Sequence, residues 1–183
     1  MSLKFLGQFL RHPRSTGAVW PSSPALAAAM AAAVPAEALL IVEYGPGTGV
    51  FTAALRRAHP QARLVAIEYN PAFHAALAAR FAGDPLTEPV LGSAADVAAI
   101  LAARGLSAPE AIVSGLPFTS LPAALGETIL AETARLLGAE GRFVLFQYSR
   151  ARIGLISRHF ARIEARRVWA NLPPAWVLGC DNR

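Results

Sequence analysis

The chain has 183 residues, of which 54% are hydrophobic, and a formal net charge of +5. That length sets a prior of one domain with a substantial core, and the composition (mean hydropathy +0.39) excludes a disordered chain. The positive balance, carried by arginine with Lys4 as the sole lysine, favours anionic partners: nucleic acid or an acidic lipid surface.

In chain order, Ser2 to His12 has Leu3, Phe5, Leu6, Phe9 and Leu10 on one helical arc and Lys4, Gln8, Arg11 and His12 on the other. Such a helix can lie in a membrane interface or pack against protein. Pro13 ends it, and a loop of turn formers carries Trp20, read either as a core anchor or as a lid over a ligand site. Ser22 or Ser23 caps the next helix, with Pro24 near its first position, and the helix runs through alanines to about Val34. Leu39 to Tyr44 reads as a strand buried on both faces, followed by the turn Gly45-Pro46-Gly47-Thr48-Gly49 and a helix from Val50 to His59. The next strand, Arg63 to Glu68, precedes a helix over Ala72 to Phe81 capped by Asn70. A short strand, Glu88 to Leu91, leads through Gly92–Asp96 into a helix from Val97 to Arg104, stopped by Gly105. Ala111 to Ser114 is the fourth strand, Pro122 to Leu137 a helix, and Arg142 to Tyr148 the fifth strand. A helix near Arg152 to Phe160 precedes two strand-like runs, Ile163 to Ala170 and Trp176 to Cys180. The connection Asn171–Ala175 is too short for a crossover helix, so these two strands should pair antiparallel. Strand–helix alternation otherwise implies an α/β fold with a parallel sheet covered on both faces.

Cys180 is the only cysteine, which leaves no disulfide framework, and the four histidines show no ligand spacing, so no metal is expected. No run of about 18 uninterrupted apolar residues occurs. Arg11 and Arg14 stand where a signal peptide would need its apolar stretch, so the protein is expected in the cytoplasm.

The chemistry concentrates at the glycine turn. Glycines 45, 47 and 49 remove the Cβ atoms that would hold a ligand off the backbone, and the following helix offers unpaired N–H groups. Glu68 closes the second strand, where a carboxylate can take the two hydroxyls of a ribose. A nicotinamide site would need its third glycine three residues on; Val50 occupies that position, which counts against a dehydrogenase.

Glu43-x-Gly45-x-Gly47-x-Gly49, Glu68, the Gly92–Asp96 loop and the Ser114–Phe118 loop resemble the class I S-adenosylmethionine-dependent methyltransferases. That resemblance implies a Rossmann-like, mostly parallel seven-stranded sheet with an antiparallel last strand. It assigns cofactor contacts to Glu43, Tyr44, Gly45, Pro46, Gly47, Thr48, Gly49, Glu68, Tyr69, Ser93, Ala94, Ser114, Gly115 and Leu116. Ser93 departs from the Gly-Asp pair common at that loop. Trp20–Leu26, the Glu43–Gly49 turn, Leu116-Pro117 and Trp169–Ala175 further resemble the bacterial phospholipid N-methyltransferases, which methylate phosphatidylethanolamine toward phosphatidylcholine. This implies a peripheral protein on the inner face of the cell membrane. Residues 1–38 would form a membrane or lid segment and residues 39–183 the methyltransferase domain, within one globular unit. Substrate contacts are implied at Trp20, Ser22, Pro117, Phe118, Asn171 and Pro173.

The rival within the same group is a ribosomal RNA adenine methyltransferase. Gly115 lacks the asparagine side chain that such enzymes place in the fourth-strand loop, their added helical domain is not expected after a sheet that closes near Arg183, and Phe118 is the one aromatic offered for stacking a base. A third reading is a cofactor-binding protein without catalysis. In either enzyme the reaction is in-line methyl transfer to nitrogen, with Tyr148, Asp96 or water taking the proton. Tyr148 could instead wall a cage for a cationic amine.

Overall fold

The computed structural model describes residues 22–149 and 153–182. The amphipathic segment Ser2 to His12 and the candidate Trp20 lie outside the described residues.

Five strands alternate with helices and run parallel: β1 (Leu40–Tyr44), β2 (Arg63–Glu68), β3 (Thr87–Leu91), β4 (Ala111–Ser114) and β5 (Arg142–Gln147). They are joined by β6 (Arg162–Val168) and β7 (Ala175–Asp181) into one seven-stranded sheet of order β3-β2-β1-β4-β5-β7-β6. β7 lies antiparallel between β5 and β6, so the tail is the expected hairpin, with its returning strand wedged inward. β1, the strand nearest continuous apolar sequence, is buried at every position, as a strand covered on both faces must be.

Side-chain alternation divides the interior into two cores. One face packs Ile41, Leu64, Val113, Val144 and Val177 under α1 (Pro24–Ala32) and α2 (Val50–Ala58). The other packs Val42, Ile67, Ile112, Phe143, Leu145 and Leu178 with α4 (Val97–Ala102), α5 (Ala123–Leu137) and α6 (Ile153–Ile156); α3 (Pro71–Arg80) lies against β2 and β3. Leu26 and Met30 of α1 are fully buried, so the described part of the 1–38 segment belongs to the same core as the sheet. Ser23 caps α1 by accepting the Leu26 N–H at 3.1 Å, with Pro24 at the first position, and Asn70 caps α3.

Differences from the sequence reading sit at helix ends. Of the helix expected over Arg152 to Phe160, the described residues form a single turn, Ile153–Ile156: Gly154 is a poor helix former, and the Ser157 hydroxyl turns back to the Gly154 carbonyl. After α4 the chain closes through Gly105 N–H to Ala102 O and Leu106 N–H to Leu101 O. Gly105 sits at φ +63°, the left-handed cap that the sequence placed there.

Candidate active site

The glycine turn joins β1 to α2 at the C-terminal edge of the sheet, where open α/β sheets hold their ligands. Gly45, Gly47 and Gly49 all have left-handed φ (+63°, +55° and +77°), so a side chain at any of them would be strained. Their surroundings differ. A Cβ on Gly45 would stand 2.8 Å from Leu116 Cδ2, and one on Gly49 2.7 Å from Leu77 Cδ1. At Gly47 nothing lies within 4 Å, so this glycine faces the open crevice. Gly115, from the loop after β4, presses on the turn from the other side; its Cβ would meet the Gly45 carbonyl at 2.7 Å.

Glu68 binds this turn directly. Its Oε2 accepts the Gly47 N–H at 3.0 Å and its Oε1 accepts the Asn70 N–H at 2.8 Å. Each carboxylate oxygen has about two acceptor positions, so each retains one for a ribose hydroxyl. Glu43 lies under the start of α2, fully buried. Its Oε2 accepts the Thr52 hydroxyl at 2.7 Å, while Oε1 has no partner. Burial pushes its carboxyl up to about 8; the Thr52 hydrogen bond opposes that rise and the charge of Glu68 adds to it. The carboxyl is therefore held protonated and uncharged at neutral pH, a buried brace under the turn in place of the cofactor contact expected of it. The open face at Gly47 and the remaining acceptor positions of Glu68 fit the ribose end of S-adenosylmethionine.

Other expected contacts need correction. The Tyr44 side chain points to the opposite core, with its hydroxyl 3.3 Å from Thr133 Oγ1. Burial pushes its pKa above the usual phenol range, and only its backbone carbonyl reaches the site's loops, accepting the Gly115 N–H. Strand alternation, invisible in the motif itself, turns this side chain away from the ligand. The hydroxyl of Ser114 is fully buried and closes its own loop by accepting the Leu116 N–H at 3.1 Å. Ser93 caps the short 3-10 turn Ala94–Asp96 by accepting the Ala95 N–H. Phe118 is 2% exposed and meets Phe143 edge-on at 6.2 Å, so it is core and offers no stacking platform. Asn171 is also buried: it accepts the Ser23 N–H at 2.9 Å and donates to the Pro173 carbonyl at 2.7 Å, clamping the β6–β7 loop to the start of α1. That is a structural tie in place of the headgroup contact expected of it. Pro46 is buried within the turn and Thr48 exposed on it, Tyr69 and Ala94 pack on the core beyond, and Leu116, Pro117 and Ser22 are half-buried.

Asp96 and Tyr148 are not brought together. Asp96 follows the edge strand β3 and Tyr148 follows β5, four strand spacings or about 19 Å away. Of the two, Tyr148 stands beside the β4 and β5 ends, partly exposed, with its ring edge-on to Phe146 at 5.6 Å. A concavity of about 520 Å³ lies elsewhere, lined by Ala29, Val34, Arg142, Glu164, Arg166 and Gly179. Arg142 opens β5, so this hollow is at the far edge of the sheet from the glycine turn, and the chemistry places the site at the turn.

Sequence reading missed a cross-strand row at the C-terminal edge. Gln147 pairs with Trp176, which pairs with Arg167. The Arg167 guanidinium lies 5.0 Å from the Trp169 ring and 4.9 Å from the Trp176 ring. One signal was available: Gln147 is the lone amide ending an otherwise apolar run on the core-facing register of β5. Thr52, the partner of Glu43, was likewise visible as a hydroxyl in the first turn after the glycines. Among the described residues no group of His, Cys, Asp and Glu could hold a metal ion.

The fold is that of the class I S-adenosylmethionine-dependent methyltransferases. Among solved structures, 1,6-didemethyltoxoflavin-N1-methyltransferase of Burkholderia thailandensis, with its substrate and S-adenosylhomocysteine bound, superposes with a TM-score of 0.70. It shares 18% identity, over 97% of this chain and 86% of that one. The O-methyltransferase TomG of Streptomyces achromogenes, in complex with SAM, gives 0.68 at 17% identity over 100% and 92%. No family model matches the chain. The ornithine lipid N-methyltransferase of Singulisphaera acidiphila is 32% identical over 183 residues, 96% of this chain and 93% of that protein. The chain belongs to the family of that enzyme.

Proposed function

We propose that this protein methylates the amine of a membrane-lipid headgroup. The observation that carries the reading is kinship with an ornithine lipid N-methyltransferase along nearly the whole of both chains. Ornithine lipid is the acceptor that kinship supports. Phosphatidylethanolamine and its methylated derivatives, toward phosphatidylcholine, are the acceptors that the Trp169–Ala175 and Glu43–Gly49 motifs support. Both headgroups present a primary amine beside an anionic group, and the Arg167 cluster is of the right sign for the anion. Phe118 is withdrawn into the core, which removes the stacking surface that a nucleobase acceptor would use.

A lipid acceptor requires contact with a membrane. The β6–β7 loop offers it: Trp169 is 75% exposed and Leu172 70%, next to Arg166 and Arg167, at the end of the sheet that holds the site. No helix of the described residues is long and apolar enough to cross a membrane, and the reading is of a peripheral protein on the cytoplasmic face.

When bound, S-adenosylmethionine supplies an electrophilic methyl on a sulfonium. The backbone of Gly45–Gly49 and the Glu68 carboxylate would hold it, with Glu43 bracing the turn from beneath. The acceptor nitrogen would take the methyl as the sulfonium leaves as a neutral thioether, and Tyr148 or water would be placed to receive the nitrogen's proton. Positioning supplies most of the acceleration, with effective molarities of about 10⁵–10⁸ M in favourable cases. The test is incubation with methyl-labelled S-adenosylmethionine and vesicles of ornithine lipid, vesicles of phosphatidylethanolamine, or unmodified ribosomal RNA. Label in a lipid extract is expected, and the labelled vesicle names the acceptor. Label in RNA, or in none of them, overturns the reading.

A further inference from the structure

Gln147 is buried, 5% exposed, and neither its amide oxygen nor its amide nitrogen has a hydrogen-bond partner. Leaving such a group buried and unpaired costs stability. A fold needing only volume at this point is better served by Leu or Met. Alternation along β5 puts Gln147 on the same face as Phe143 and Leu145. β4 ends at Ser114, which pairs with Leu145, so the chain beside Gln147 has already turned away into the Gly115–Phe118 loop. The amide therefore stands at the C-terminal edge of the sheet, closed off from solvent, beside the loop that presses on the glycine turn. That loop cannot supply a polar side chain of its own at Gly115, where a Cβ would stand 2.7 Å from the Gly45 carbonyl. On its other flank Gln147 has Trp176 and, beyond it, Arg167.

We propose that Gln147 orients the acceptor: its side-chain oxygen accepts an N–H hydrogen bond from the attacking amine and holds the nitrogen lone pair toward the methyl group. The assignment rests on the amine-methyltransferase reading above. A neutral amide suits this task. A carboxylate in its place would favour the ammonium form and hold back the proton that must leave, whereas an apolar side chain would leave the amine free to rotate. As the nitrogen gains positive charge during transfer, its N–H becomes a stronger donor. The bond thus stabilises the transition state more than the bound substrate. In the same row, the guanidinium of Arg167, held between two indole rings, carries charge complementary to the headgroup anion.

The test compares wild type with Gln147→Met, which keeps length and volume, and with Gln147→Leu should the first fold poorly. The readouts are kcat and KM on vesicles of whichever lipid the wild type methylates, S-adenosylmethionine Kd by calorimetry, and Tm. Expected is a fall in kcat of about 10- to 100-fold, the factor for losing one hydrogen bond to a charged partner. KM and cofactor Kd should stay within about threefold, and Tm should be unchanged or higher, since an unpaired buried amide has been removed. A kcat within about threefold of wild type overturns the assignment and leaves the function intact. A loss of kcat accompanied by weaker cofactor binding and lower Tm overturns it in favour of a structural role. Failure of the wild type on both lipids overturns the function reading and this inference with it.

Discussion

The two ends of the site's crevice are built from different materials. At β1 and β2 the ligand surface is backbone: three left-handed glycines, with the Glu68 carboxylate tied to two main-chain N–H groups. At β5, β7 and β6 the surface proposed for the acceptor is side chain: an unpartnered amide, an indole and a guanidinium contributed by three strands. The first region fits a ligand common to all class I methyltransferases, and its close contacts leave little room to vary. If the second region holds the acceptor as proposed, substitutions there leave the cofactor side of the site intact.

The largest expected effect comes from filling the first region. Gly115→Ala drives a Cβ to within 2.7 Å of the Gly45 carbonyl and must displace the turn. Cofactor affinity should drop by more than about 100-fold, with a stability loss of about 1–3 kcal/mol by thermal melting. Gly83→Ala, where nothing lies within 4 Å, is the control. Equal binding by the two variants would break the distinction between regions.

Glu43 tests the electrostatics of the same region. Its native pKa of about 8 stands above the ordinary value of 4.5, so between these pH values the folded chain holds a proton that the unfolded chain has lost. Its contribution to stability is therefore fully present below about pH 4.5, is lost as pH rises toward 8, and is level beyond. A native pKa this far above the unfolded one corresponds to an effect on the order of a few kcal/mol. Glu43→Gln should flatten the decline in Tm over that window; an unaltered slope would refute the buried, protonated carboxyl. Glu68→Ala should weaken S-adenosylmethionine binding by about 10- to 100-fold in calorimetry, through loss of charge-assisted hydrogen bonds.

The smallest effect belongs to the exposed loop of the second region. Trp169→Ala with Leu172→Ala should leave Tm nearly unchanged, since both side chains face solvent. Binding to lipid vesicles in sedimentation should fall by about tenfold, the order expected when apolar surface is removed from a membrane contact. Unchanged sedimentation would remove the loop from the membrane reading.

What could be read from the sequence follows the same division. Backbone-built features leave a local signature, because a left-handed turn calls for glycine and a strand end places the next acid: the glycine turn, Glu68, the Asn70 cap and the closing hairpin were all legible. Side-chain features were not. Tyr44 sits inside the motif yet faces the opposite core, a matter of strand parity. Phe118 and Asn171 look like ligand contacts, but the packing partners Phe143 and Ser23 that claim them are 25 and 148 residues away in sequence. The Gln147–Trp176–Arg167 row exists only once β7 has inserted between β5 and β6, an order that no local pattern encodes.

Most direct is a paired measurement of cofactor Kd and of kcat at saturating S-adenosylmethionine for Glu68→Ala and Gln147→Met. A division of labour between a backbone-built donor cradle and a side-chain-built acceptor row predicts a crossed pattern: Kd changes and kcat holds for the first, kcat falls and Kd holds for the second. Both variants shifting both quantities together would contradict it.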